Sequence, residues 1–236
     1  MKNIFQSVLW FLLVGASLFA AETIDRIVAT VNGRAVMESE LGEELRFEQF
    51  LSAAPPVVVS VAQQRTVLER LVDEILLEQQ MDAAKFDAPS TAELNKKLDE
   101  LRQQVASTAG SDGWRAALQR YSLTEADVSE HIALQLRALH FIDARFRPAI
   151  RIDAHAVQNY YREKLLPKMK QAGAHALPLQ QVEPRIREIL VQQQIDELLE
   201  SWMKSLRTQA EIRFPVPSSS VGAVQPSAQA QAAEVH

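Results

Sequence analysis

Residues 62–86, AQQRTVLERLVDEILLEQQMDAAKF, are the stretch that decides the fold. Apolar side chains recur in it at intervals of three and four residues, which is typical of one face of an amphipathic helix. At 1.5 Å per residue a helix of about 25 residues is about 37 Å long, the width of a small domain. Other helices are therefore expected to pack around it. Its apolar face consists of Leu68, Leu71, Val72, Ile75, Leu76 and Met81.

The N-terminal residues 1–21 have the pattern of a secretory signal peptide. Lys2 precedes an apolar run, small residues follow it, and cleavage is expected after Ala20 or Ala21. The chain has no cysteine, which excludes disulfides and a lipid-modified cysteine. The mature chain is therefore expected in the periplasm without a stable membrane anchor, and an inner-membrane protein anchored by an uncleaved signal is the alternative.

Composition narrows the class of protein. Acidic residues exceed basic ones by 30 to 25, so the formal net charge is −5, which argues against a nucleic-acid binder. A chain of 236 residues with 47% hydrophobic residues can bury a sizeable core, and only seven glycines favour a mainly helical fold. Residues 215–236 are rich in proline, serine, alanine and glutamine without periodicity, and are expected to be disordered.

A β-hairpin is predicted within residues 23–37, where two β-prone runs flank Asn32-Gly33. Both turn residues tolerate the positive φ that a type I′ turn requires. A two-stranded hairpin alone is only marginally stable in water, so a third strand is expected. The best candidate is residues 210–216, and this pairing would join the two ends of the chain into one closed unit.

Capping residues and prolines predict the other helices. The helix at 38–51 should end before Pro55-Pro56, and Val57–Val59 are expected to be buried, with exposed apolar surface as the alternative. Pro184 is expected in the first turn of the last helix, where its missing N–H costs nothing. Further helices are predicted after the Ser90–Glu93 capping box, at 114–121, from the Thr124 cap to Pro148, from the Asp153 cap to Pro167, and at 183–208.

Four segments in this order resemble the N-terminal chaperone domain of SurA and related periplasmic foldases. They are IDRIVATVNGRAVMESEL (24–41), LERLVDEILLEQQ (68–80), WRAALQRYSLTEADVSEHIALQL (114–136) and WMKSLRTQAEIRF (202–214). The resemblance spans residues 24–214. It implies a mainly α, multi-helix domain with a small antiparallel β-hairpin, completed by a C-terminal helix and strand that return to the hairpin.

The chain departs from this family at one place. SurA-like foldases carry one or two parvulin-type prolyl isomerase domains where only residues 171–177 stand here. The resemblance therefore implies a chaperone module without the isomerase. The expected organisation is a signal peptide (1–21), a helical chaperone region (22–170), a short linker (171–177), a helix and strand completing the same domain (178–214) and a disordered tail (215–236).

The residues themselves indicate no catalytic chemistry. The five histidines are scattered without metal-binding spacing, and no nucleophile or phosphate-binding motif is present. Carboxylate pairs such as Glu43-Glu44 and Asp73-Glu74 are expected on solvated helix faces, where their pKa values would be ordinary. The chain is thus predicted to be a non-enzyme without metal or cofactor.

The predicted function is a periplasmic holdase that binds unfolded outer-membrane or secreted polypeptides in an apolar groove. Core packing is the alternative role of each candidate groove residue. A scaffolding subunit for one folded envelope partner and a residual or accessory prolyl isomerase are the alternative functions. Binding of several unfolded clients separates a holdase from a scaffold, and a prolyl-peptide assay tests the isomerase. The candidate client-binding residues are Phe47, Phe50, Met81, Trp114, Tyr121 and Phe141.

Overall fold

The computed structural model describes residues 25–109, 113–173 and 175–215. The predicted signal peptide and nearly all of the predicted disordered tail lie outside these residues. The mainly α fold with a small antiparallel sheet is confirmed. The elements are β1 (Ile27–Val31), β2 (Arg34–Met37), α1 (Glu38–Leu51), α2 (Val61–Ala83), α3 (Thr91–Ala109), α4 (Gly113–Arg120), α5 (Glu125–Phe146), a 3₁₀ turn (Arg147–Ala149), α6 (Ala154–Tyr160), a π-helical segment (Tyr161–Leu165), α7 (Leu166–Gln171), α8 (Leu179–Gln209) and β3 (Ile212–Arg213).

The sheet has the order β2-β1-β3 and is antiparallel throughout. Asn32 and Gly33 form the hairpin turn with φ values of 50° and 85°, as a type I′ turn requires. The expected third strand is present as β3, which pairs with the end of β1. Asn32 also holds its neighbours, since its Nδ2 donates to Gln79 on α2 (2.7 Å) and its Oδ1 accepts from the Glu211 N–H (2.9 Å).

Helix α2 is the element on which both ends of the described chain meet. Its Val72, Ile75 and Leu76 form one core cluster with Ala29 and Val31 of β1. The end of α8 packs against the same cluster through Met203 and Leu206, and one arginine fixes it to α2. Arg207 donates to the Glu69 carboxylate (Nη1–Oε2, 2.9 Å) and to its carbonyl oxygen (2.6 Å), and it also pairs with Asp73.

A second core cluster joins α1 to α3, α4 and α5, and it positions the site described below. Phe47 and Phe50 of α1 are almost fully buried in it. The Tyr121 hydroxyl donates to the Ala54 carbonyl oxygen (2.7 Å), which fixes the loop after α1. Helix α5 begins at the predicted cap, where Thr124 and Asp127 form a reciprocal capping box.

The expectation that Val57–Val59 are buried was wrong, since two of the residues are exposed and Val59 is only partly buried. Val57 is 61% exposed and Val58 is 96% exposed. The segment is an extended connection between α1 and α2, and such connections run over the surface because their backbone groups need water. The Gln49 side chain donates to the Val57 carbonyl oxygen (3.0 Å) and holds the segment in this position.

Helix α8 begins four residues earlier than predicted. It starts at Leu179, so Pro184 lies in its second turn rather than its first. Proline at this position removes one intrahelical hydrogen bond, to the carbonyl of Gln180. The helical backbone starts directly after Pro178, where the Gln181 N–H donates to the Pro178 carbonyl oxygen (3.0 Å).

Candidate functional site

An open cleft of about 270 Å³ lies between α1, α3 and α5. We call it the α1/α3/α5 cleft. Phe47 is 1% exposed and forms part of its floor, whereas Leu51 and Leu139 at its sides are 42% and 62% exposed. The complete lining is Phe47, Leu51, Lys97, Glu100, Leu101, Gln104, Ile132, Gln135, Leu136 and Leu139.

Helical spacing explains why these side chains converge. On α5 the lining residues occupy positions i, i+3, i+4 and i+7 and therefore share one face: Ile132, Gln135, Leu136 and Leu139. The α3 side contributes a charged edge, where Lys97 Nζ and Glu100 Oε2 form an ion pair at 3.1 Å. The result is an apolar cleft with a charged border, suited to apolar side chains of an extended polypeptide.

A smaller cavity of about 80 Å³ adjoins this cleft, between α1, α2 and α5. We call it the Glu74 cavity. Gln135 lines both, so the two spaces meet at that side chain. The lining combines apolar side chains with three titratable groups. Its members are Glu44, Glu74, Leu77, Met81, His131, Leu134, Gln135 and Ala138.

His131 is a charged group at the wall of the Glu74 cavity. Its Nδ1 donates to the Asp127 carbonyl oxygen (2.8 Å) and its Nε2 faces Glu44 Oε2 at 3.3 Å. Burial opposes the charged form, but the hydrogen bonds to Glu44 and Asp127 and the charges of Glu44 and Glu43 outweigh it and raise the pKa of His131 to about 9. The ring is therefore an imidazolium at neutral pH, stacked on Phe47 with ring centres 4.2 Å apart.

Glu74 is the second perturbed group of this cavity. Burial, followed by the negative charge of Glu44, raises its pKa to about 7, although Arg70 and His131 act in the opposite direction. Among the described residues its carboxylate forms no hydrogen bond or ion pair. Glu74 is thus about half protonated at neutral pH.

The prediction that Glu44 and Glu74 lie on solvated faces was wrong. Glu44 is only 8% exposed, and Glu74 lines a cavity. A signal for Glu44 was present in the sequence, since it lies three residues after Leu41 and three before Phe47, on the apolar face of α1. No comparable signal existed for Glu74, because its surroundings are contributed by other helices.

The structure buries five of the six candidate client-binding residues, and Trp114 is partly buried. Phe47 lines the α1/α3/α5 cleft and Met81 lines the Glu74 cavity. Phe50 packs edge-on against Trp114 and Tyr121, with ring centres 5.6 and 5.8 Å apart.

Phe141, the sixth candidate, packs against Phe86 (5.3 Å) and Trp202 (6.1 Å). A direct role of any of the six in client binding stays a prediction. The accessible apolar groups beside the cleft are instead Leu51 and Leu139, which are aliphatic rather than aromatic or methionine side chains.

Two further findings concern the described part of the chain. No group of three or more histidine, aspartate or glutamate side chains there is arranged to hold a metal ion. None of the helices in residues 25–109, 113–173 and 175–215 combines the length and apolar character needed to cross a bilayer.

The His131–Glu44 pair makes a prediction for titration. We expect the imidazole of His131, followed by NMR, to titrate at about 9, and Glu44→Gln to lower this pKa clearly, because burial is then opposed only by the Asp127 hydrogen bond and the charge of Glu43. Glu43→Gln is the matched control and should lower it less, since Glu43 acts only through its charge. A wild-type midpoint near 6.5 would show that the pair does not form.

The sequence comparisons agree with this architecture. Residues 3–141, more than half of the chain, match the family described as SurA-like N-terminal domain. The chain belongs to this family.

Relatives carry the names of chaperones and of a foldase. The chain is 28% identical over 159 residues to a protein named Chaperone SurA from Pseudomonas putida, covering 65% of this chain and 36% of the relative. It is 29% identical over 172 residues to Foldase protein PrsA from Clostridium perfringens, covering 66% and 49%. Chaperone SurA from Pseudomonas aeruginosa is 26% identical over 139 residues, covering 58% and 33%. The chain thus spans between a third and a half of the length of these relatives.

Proposed function

We propose that the protein is a periplasmic chaperone that holds apolar stretches of unfolded outer-membrane or secreted polypeptides in the α1/α3/α5 cleft, without catalysis of its own. The observation that carries this proposal is the accessible apolar surface at the cleft. Leu51 and Leu139 are exposed beside the buried Phe47, Ile132 and an apolar floor. An unfolded chain offers the complementary apolar side chains.

The chemistry of the cleft suits a binder of many sequences. Burial of apolar surface contributes about 25 cal/mol per Å² and has no directional requirement, so it does not distinguish one apolar sequence from another. The Lys97–Glu100 ion pair at the border of the cleft is exposed to water. Its charges limit the extent of continuous apolar surface around the cleft. Membership of the SurA-like N-terminal domain family and relatives named as chaperones support the same function.

The domain organisation belongs to this proposal. We place one chaperone domain at residues 22–170 and 178–214, with 171–177 as a linker where related foldases carry an isomerase. Contacts of α8 with α2 and the pairing of β3 with β1 support this division. An assay with a prolyl peptide tests the absence of catalysis: the rate of cis–trans isomerisation should equal the uncatalysed rate.

Leu139→Asp tests the cleft directly. The substitution removes an apolar contact and places a charge beside the cleft, so affinity for an unfolded β-barrel protein should fall about tenfold or more. Stability should change by no more than about 0.5 kcal/mol because Leu139 is 62% exposed. Suppression of client aggregation, followed by light scattering, measures the effect.

Leu198→Asp is the matched control for this experiment. Leu198 is 41% exposed on α8 and does not line the cleft, so its replacement should leave client binding unchanged. Equal activity of Leu139→Asp and wild type would contradict the assigned site. Binding of one folded envelope protein, with no binding of unfolded clients, would favour a scaffolding subunit instead.

A further inference from the structure

We propose that binding of an apolar client segment in the α1/α3/α5 cleft is coupled to proton uptake by Glu74, so that client affinity rises as the pH falls. This inference rests on the proposed function and adds a regulation of the same site. It stands on the position of Glu74 in a cavity that adjoins the cleft and on its carboxylate, which forms no hydrogen bond or ion pair with any described residue.

The geometry connects client and carboxylate through Gln135. This side chain lines both the cleft and the Glu74 cavity, so a segment that fills the cleft and extends over Gln135 also covers the cavity. The rest of the cavity lining is largely apolar, with Leu77, Met81 and Leu134 among its members. A covering apolar client therefore removes water from the Glu74 carboxylate and brings no positive charge to replace that hydration.

The charged groups around Glu74 have partners of their own. On α2, Arg70 pairs with Glu48 of α1, and Asp73 pairs with Arg207 of α8. The remaining groups belong to α1 and α5, where His131 is paired with Glu44 (3.3 Å). An ionised Glu74 under a bound client would be a buried charge without a direct hydrogen-bond or ion-pair partner among the described residues. Arg70 and His131 favour its ionised form only through their charges, so loss of water shifts Glu74 toward the protonated form.

The sign of the coupling follows from linkage. The pKa of Glu74 is already about 7 in the free protein, and loss of water raises it further. The complex then binds more protons than the free protein, so affinity is highest below the free pKa and falls as the pH rises through it. Each unit of further increase corresponds to about a tenfold change in affinity. His131, with a pKa of about 9, remains charged between pH 6 and 8 and does not contribute in that range.

The test uses a capped apolar peptide without ionisable side chains, so that only the protein titrates. Its Kd for the mature wild-type protein should be about fivefold lower at pH 6 than at pH 8, the range in which His131 stays charged. Glu74→Gln should bind equally at both values, as tightly as the wild type at pH 6, because the amide is a neutral analogue of the protonated acid. Glu78→Gln is the matched control: Glu78 lies one turn further along α2, pairs with Arg34 (2.8 Å) and should retain the wild-type dependence.

Calorimetry of the wild type adds a measurement that needs no variant. The binding enthalpy is measured near pH 7.5 in two buffers of different ionisation enthalpy. Because the buffer supplies any proton that is taken up, the two enthalpies should differ by an amount that corresponds to a measurable fraction of one proton. Binding without pH dependence or proton uptake would overturn the coupling and leave the proposed function intact, as would a Glu74→Gln variant that keeps the dependence. No binding at any pH, by any variant, would instead contradict the proposed function.

Discussion

Phe47→Ala is expected to lower the free energy of unfolding by about 3–5 kcal/mol, the usual cost of removing a buried aromatic side chain. Phe47 is 1% exposed and connects α1 to the core cluster of α3, α4 and α5. Its ring stacks on His131 at 4.2 Å and lies 6.5 Å from that of Phe50. Truncation would leave a cavity beneath the α1/α3/α5 cleft, so client binding should weaken together with stability.

Phe47→Leu separates volume from aromatic contact. Leucine keeps most of the apolar contact, so the cost should be about 1.5 kcal/mol or slightly more, well below that of alanine. Denaturant unfolding followed by circular dichroism measures both variants. If alanine cost less than about 1 kcal/mol, α1 would not be packed on this cluster, and the floor assigned to the cleft would be wrong.

Arg213→Pro should cost about 2–4 kcal/mol by removing a backbone donor from the strand that closes the fold. The Asn32 N–H donates to the Glu211 carbonyl oxygen (2.9 Å), and Thr30 and Val31 lie opposite Arg213 and Ile212. Bonded and non-bonded pairs alternate along an antiparallel ladder, so Thr30–Arg213 is the next bonded pair. Proline at 213 therefore breaks the pairing of β3, whereas Ile212 occupies a non-bonded position.

Arg213→Ala isolates this backbone effect. The Arg213 side chain is mostly exposed, and its ion pair with Glu211 is a surface pair of small energetic value, so alanine should change stability by no more than about 0.5 kcal/mol. Amide hydrogen exchange at Thr30 and Asn32 should accelerate in the proline variant only. Unchanged exchange at both amides would show that β3 does not hold the hairpin.

Local signals in the sequence were read correctly where neighbouring residues decide the structure. Asn32-Gly33 predicted the turn, and Thr124 and Asp127 predicted the start of α5. Pro184 shows the limit of such rules. Proline is favoured in the first turn of a helix, which predicted a start near residue 183. The residues from Leu179 onward are also helical, so Pro184 lies one turn further in.

Sequence alone thus determined the helices, the hairpin and the mainly α class, because periodicity, caps and turns depend on residues one to four positions apart. Only the tertiary structure decided the cleft and the perturbed pKa of Glu74. The cleft needs side chains from α1, α3 and α5, and the surroundings of Glu74 come from α1, α2 and α5. A carboxylate on a helix has its ordinary pKa until another helix removes its water. Val58 is a further example. Its apolar neighbours in the sequence predicted burial, but the loop between α1 and α2 runs over the surface and leaves the side chain in solvent.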